Sequence, residues 1–187
     1  MNYLWKILYF LLSLVFLVYL SIPNGKFPAQ KDTSLRSNEP ADIESELRRG
    51  YYVDGTRSSV ITYYRKEFEQ LNFFGNKIHV PSLRLNYPPE EAQTIIRDQT
   101  RGTYLEEIVH PLRQSIFING FEPKRDNDMI FVNGRKYDQK IIVKQFNSNV
   151  FARLAIGIMA AGFLYLQILF WINLCKEFRK IVYAKKN

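Results

Sequence analysis

Cysteine and histidine are almost missing from this chain: Cys175, His79 and His110 are all that 187 residues contain. One thiol cannot close an intrachain disulfide, so any folded part has to be held by a packed core. A zinc site needs three or four ligands, and two distant histidines supply too few, so neither a metal nor a cofactor is expected. The sequence has no phosphate-loop glycine pattern, no G-x-S-x-G elbow, no H-E-x-x-H pair and no N-x-S/T acceptor. Together these absences weigh against the common catalytic classes.

Charge is missing in two places. Ile7 to Ile22 is a run of 16 residues without a charge, and Leu154 to Leu174 a run of 21. A bilayer core about 30 Å thick takes roughly 20 residues of helix, so both runs read as spans. In the first, Lys6 snorkels to the interface while Trp5 and Tyr19 mark the two ends. Trp171 lies near the far end of the second. The exit from the first run, "VYLSIPNGKFPAQ", lacks the small residues of a cleavage site, which favours an uncleaved anchor over a removed signal. Gly157, Ala160 and Ala161 in the second run are small enough to let another helix approach closely, in this chain or in a second copy.

The net charge of +8 is unevenly spread. Lys176, Arg179, Lys180, Lys185 and Lys186 crowd the tail against Glu177 alone, and a basic flank of this kind marks the cytoplasmic side. Both termini are therefore expected in the cytoplasm, with the segment between the spans outside. Pro23 to Arg153 carries 20 Lys plus Arg against 17 Asp plus Glu, a net of only +3. No concentrated basic face is left for a nucleic acid. The expected partners are the lipid bilayer and either another protein or a second copy of the chain.

The expected domains are an anchor over 1–22, a linker over 23–46, an α+β domain over 47–148, a transmembrane helix over 151–175 and a basic tail over 176–187. The linker assignment follows from Pro, Ser, Asn and charge with few large apolar residues. Within the domain, "RGYYVDG" predicts a strand. The following stretch predicts a helix capped by Ser58 or Ser59, with Val60, Tyr64 and Phe68 on one face and Gly75 as its stop. "NKIHVPSLRLNY" alternates as one strand, with Pro81 at an edge or bulge. A second helix is expected from the Pro88–Pro89 pair to Arg113, with Leu105, Ile108, Val109 and Leu112 as its apolar stripe. "QSIFING" predicts an inner strand, and Asn133–Gly134 a tight hairpin. The fold class expected is α+β: a mostly antiparallel sheet with two helices, flanked by two transmembrane helices.

Few residues suggest chemistry. Glu107 and His110 have the i, i+3 spacing of bundle metal sites, but no second copy of the motif exists. The bland reading makes His110 a helix C-terminal residue favoured by the dipole, and leaves Glu106 in water. Arg97 and Arg101 share a helical face and could clamp an anion; a solvated pairing with Asp98 is the alternative. Asp54, Thr56 and Arg57 lie between a strand and a helix, where a plain turn and cap also accounts for them. No catalytic residue is assigned. The leading function is a membrane-anchored binding or scaffold domain facing an envelope partner, supported by adjacent aromatic pairs such as Tyr51–Tyr52 and Tyr63–Tyr64. The alternatives are a small membrane enzyme at Glu107/His110 or Arg97/Arg101, and a ligand sensor acting through the second span.

Overall fold

Val60, Ile61, Tyr64 and Phe68 recur at helical spacing and are all buried, so one helix lays a continuous apolar stripe on a sheet. The structure is a computed structural model that describes residues 3–73, 75–88 and 102–184. The chain forms two compact units, Pro23–Ser148 and Met1–Ile22 with Asn149–Asn187.

The first unit is an α+β domain. Its strands are β1 (Leu35–Arg36), β2 (Arg48–Val53), β3 (Gln70–Phe73), β4 (Asn76–His79), β5 (Leu83–Tyr87), β6 (Tyr104–His110), β7 (Gln114–Phe121), β8 (Ile130–Val132), β9 (Arg135–Tyr137) and β10 (Gln139–Asn147). Helix α2 (Arg57–Glu69) follows β2, and α1 (Leu4–Ser21) and α3 (Val150–Ala184) belong to the other unit. Six strands form one antiparallel sheet in the order β1-β2-β10-β7-β6-β5. β3 pairs with β4, and β8 with β9, in two small hairpins.

Alternation along the strands decides which side chains meet α2. Tyr51 and Val53, Ile141 and Val143, Ile116 and Ile118, and Tyr104 and Ile108 form the core with α2. Each fully buried large side chain contributes about 1.5–3 kcal/mol. On the other face Leu105 and Ile142 are buried, with Tyr87 and Phe117 packed against them.

Several expectations change here. The stretch "YLEEIVH" is not the end of a helix but β6, paired on both sides, with Ile108 facing Arg84 and Ile116. Residues 111–113 form a turn, and residues 89–101 of the expected second helix lie outside the described residues. Helix α2 starts two or three residues earlier than expected: Thr56 is its cap, accepting from the Ser59 amide at 3.3 Å. It also stops at Glu69, before Gly75, because residues 70–73 turn into strand β3. "NKIHVPSLRLNY" is two strands rather than one. Pro81, which has no N–H to give a ladder, lies where the chain leaves the β3–β4 hairpin for the main sheet. Asn133 and Gly134 both have positive φ, +53° and +74°, as a two-residue hairpin between twisted strands requires.

Residues 23–46, expected as a linker, belong to the same compact unit as the sheet. They supply edge strand β1 and the buried Asp42, which ion-pairs with Lys140 at 2.9 Å. Asp42 packs on Gly50 so closely that a Cβ there would lie 2.6 Å from its carboxyl carbon. The tyrosine pairs, with some members expected to be exposed, pack locally. Tyr51 and Tyr64 are core residues, Tyr52 donates to Glu39 at 2.7 Å, and Tyr63 donates to the Gln30 carbonyl at 3.0 Å.

In the other unit, α1 and α3 are both long and apolar enough to cross a membrane. The 35 residues of α3 extend about 52 Å at 1.5 Å per residue. Gly157 fits beneath α1: a Cβ would stand 2.5 Å from Leu20 and 3.2 Å from Leu17. Ala161 accepts from the Tyr9 hydroxyl through its carbonyl, whereas Ala160 is exposed. Trp5 stacks on Tyr165 at 5.9 Å, and the Lys6 ammonium lies 5.8 Å from the Trp5 ring. Arg153 donates to the Ile22 carbonyl at 2.9 Å, the C-cap of α1. Trp171, Lys176, Arg179 and Lys180 are exposed along the C-terminal part of α3.

Candidate functional site

Glu106 faces α2 from the middle of β6, with no exposed surface. A carboxylate in that position must be paired or neutralised, because a bare buried charge costs several kcal/mol. Two arginines from different elements supply the pairing. Arg57, the first residue of α2, donates through Nε at 2.8 Å and through its terminal nitrogen. Arg84, from the neighbouring strand β5, donates at 2.6 Å through Nε and again at 2.6 Å through its terminal nitrogen. Arg84 thus bridges both oxygens of Glu106 in fork geometry, while both Arg57 donors meet Oε1. Burial alone would push the Glu106 carboxyl up; the hydrogen bonds from Arg84 and Arg57 outweigh it and hold the group below the usual carboxylate range.

The arginines are themselves only partly covered, with side chains 33% and 44% exposed. Arg57 also donates to the Asn86 side chain at 2.7 Å and lies 4.8 Å from the Tyr104 ring centre. The Glu122 carboxylate accepts from the Arg57 backbone amide at 3.0 Å, filling the start of α2 with negative charge. Tyr104 is buried and donates to Gln139 at 2.5 Å, which in turn donates to the Gly55 carbonyl at 2.7 Å. Beside this cluster opens a cavity of about 300 Å³ lined by Arg57, Asn86, Tyr87, Pro88, Thr103 and Tyr104.

The strand geometry separates the residues that the sequence brought together. Glu107 and His110 are three apart on a strand, so they point to opposite faces and cannot share a ligand. Glu107 accepts from the Tyr87 hydroxyl at 2.7 Å on the face away from α2. His110 is buried on the α2 face and stacks on Phe68 at 4.5 Å. Its Nε2 lies 3.2 Å from the Phe68 carbonyl, which can only accept, so that nitrogen carries the proton. Burial pushes the imidazole below its ordinary value, more than the Phe68 carbonyl raises it. The expectation of a wet Glu106 and of a helix-capping His110 is therefore overturned by one change, strand in place of helix. Arg97 and Arg101 lie outside the described residues.

No family model, curated protein or solved structure matches this chain. The site's meaning must come from its own geometry. Sequence reasoning missed the Arg57–Glu106–Arg84 cluster because its members come from a helix start and two strands, 49 and 22 positions apart.

A second feature borders the cavity. β5 is the last strand of the sheet and, among the described residues, pairs only with β6. Leu83 and Leu85 on this edge are 58% and 42% exposed. They point away from α2, while Arg84 and Asn86 point toward it and to the cavity rim. A sheet edge that, among the described residues, has no strand on its outer side and carries exposed leucines is a template for another strand.

Proposed function

We propose that this protein is a two-span membrane protein whose α+β domain lies outside the cytoplasm and docks an extended segment of a partner protein along β5. The observation that carries the reading is the β5 edge, which among the described residues has no outer neighbour and exposes Leu83 and Leu85, beside a cavity lined in part by Arg57. A segment added to that edge would gain main-chain hydrogen bonds for affinity and place alternate side chains on opposite faces for specificity. On one face it meets Leu83 and Leu85. On the other it meets Arg57 and Arg84, whose remaining guanidinium N–H groups suit an acidic side chain. The spans account for anchoring, and the basic C-terminal end, which includes Lys176, Arg179 and Lys180 of α3, accounts for a cytoplasmic C-terminus.

The test places a photo-crosslinking amino acid at Leu85 of the full chain in its native membranes. A discrete adduct is expected from Leu85 and none from exposed Phe131, which lies on the separate β8–β9 hairpin. With the crosslinker moved to Leu83, Leu85→Lys should abolish the adduct. Loss of position dependence, or no adduct at either leucine, would sink the docking reading. A cytoplasm-only reporter fused to Asn187 tests the topology separately, and a silent fusion in intact membrane-inserted protein would reverse it.

A further inference from the structure

The two ends of the domain, Pro23 and Ser148, are drawn together at one corner of the sheet. The Asn24 side chain donates to the Ser148 carbonyl at 2.8 Å. Arg113 donates to the Pro23 carbonyl at 3.0 Å, and its own carbonyl accepts from the Ser148 amide at 3.1 Å and from the Ser148 hydroxyl. Gln114 accepts from the Gly25 amide at 2.7 Å, and Gln145 donates to the Gly25 carbonyl at 3.0 Å. Arg113, in the turn between β6 and β7, and Gln114 just after it hold both ends.

The turn carries an anomaly. Arg113 donates to the His110 carbonyl at 3.0 Å, and Leu112 within the loop has φ of +63°, a region that favours glycine or asparagine. Leu112 is also 68% exposed. A branched apolar side chain is thus held in a disfavoured backbone conformation and pointed into open space, two unfavourable choices at one residue in water. Phe146, two residues before Ser148 on β10, is 40% exposed, and the Lys144 ammonium lies 5.0 Å from its ring centre. Lys26, beside the bound Gly25, is exposed. Apolar tips ringed by aromatics and lysines are what the boundary between lipid headgroups and acyl chains selects.

Chain length supplies the occupant. Pro23 stands two residues after Ser21, the end of α1, and Ser148 two before Val150, the start of α3. Two residues reach at most about 7 Å, so both anchor points of this turn lie within that distance of a helix that can cross a membrane. We propose that the Pro111–Arg113 turn, with Phe146, is the domain's membrane seat, with Leu112 entering the bilayer interface. The inference rests on the spanning reading of α1 and α3.

The test uses the full chain in vesicles of phosphatidylcholine and phosphatidylglycerol carrying brominated acyl chains. With Trp5 and Trp171 changed to Phe, single tryptophans are placed at Leu112, Phe146 and, as a control, Phe131. Emission from Leu112→Trp and Phe146→Trp is expected to fall by about half or more, as for rings buried roughly 5–10 Å into the interface, with Phe131→Trp unchanged. Quenching of native Trp5 and Trp171 in the unaltered chain reports the spans by themselves. If those two are quenched while positions 112 and 146 are not, the seat is wrong and the spans stand. If Trp5 and Trp171 are not quenched, the spanning reading falls and the seat with it. A blue shift at 112 without bromine quenching would mean that protein covers the turn, and would overturn the proposal in favour of a second copy or partner.

Discussion

Arg57 and Glu106 are 49 positions apart, yet the guanidinium of one closes on the buried carboxylate of the other with Nε at 2.8 Å. This pair ties the first turn of α2 to the middle of β6. Arg84 completes it from β5, so ion pairs hold the junction of helix and sheet edge beside the apolar cluster under α2.

The asymmetry of that cluster gives the first prediction. Replacing both Arg57 and Arg84 by Met leaves Glu106 buried without a partner, and should cost about 3–5 kcal/mol. Glu106→Gln leaves two arginines that already reach solvent, and should cost only about 1–3 kcal/mol. Urea unfolding of the full chain in detergent micelles, followed by near-ultraviolet circular dichroism, ranks the two. Equal losses would mean that the carboxylate is not desolvated.

The second concerns pH. An unfolded histidine titrates near 6.5, and burial holds His110 below that value, with Arg113 adding to the shift and Glu69 opposing it. The unfolded chain therefore binds more protons than the folded one as pH falls below 6.5, so the His110 contribution is present above that pH and lost on acidification. The urea midpoint should fall between about pH 7.5 and pH 5.5, and fall by less in His110→Gln. An unchanged pH slope in that variant would place the titrating group elsewhere.

Glu106, Glu69 and Glu39 shift in the same protective sense at lower pH. Burial works against the first two, but hydrogen bonds from Arg84 and Arg57 at Glu106, and from Ser82 and Arg65 at Glu69, hold both below their ordinary values; Glu39 is lowered chiefly by its hydrogen bond with Lys140. Stability that these carboxylates supply above about pH 4.5 is lost as pH falls through their folded values. In wild type a second, steeper decline should follow the histidine step. Circular dichroism across an acid titration resolves the two, and a single step centred near 6.5 would contradict it.

A fourth prediction tests whether residues 23–46 belong to the fold. Gly50→Ala puts a methyl 2.6 Å from Asp42 and should drive it from Lys140. The overpacking should cost about 1–3 kcal/mol and make the segment around Asp42 an early site of protease cleavage. If cleavage there is as fast in wild type as in the variant, the segment behaves as a free linker.

Much of the architecture is legible from residue order alone. Val60, Tyr64 and Phe68 announce α2, Asn133–Gly134 announces a hairpin, and the alternation through Ile116, Phe117 and Ile118 announces β7. The stretch from Tyr104 to Leu112 is different. Leu105, Ile108, Val109 and Leu112 satisfy a helical period, but the same letters suit a strand buried on both faces, as β6 is, with Ile108 on one side and Leu105 on the other. Periodicity cannot separate these cases; the strands on either side do. Glu106 was illegible for a related reason. An acidic residue reads as solvent-facing unless its partners are known, and those partners come from α2 and β5.

The sequence by itself determined the two apolar helices, the need for a disulfide-free core and the α+β class, because these follow from composition and from local periods that each segment carries alone. Tertiary structure decided that 104–110 is a strand, that Glu106 is buried and shared by two arginines, that Glu107 and His110 part to opposite faces, and that Arg113 gathers both ends of the domain at one turn. Each of those depends on free energy gained between segments distant in the chain, through strand pairing, desolvated ion pairs and side chain to carbonyl bonds, and no local pattern encodes which distant segment will supply it.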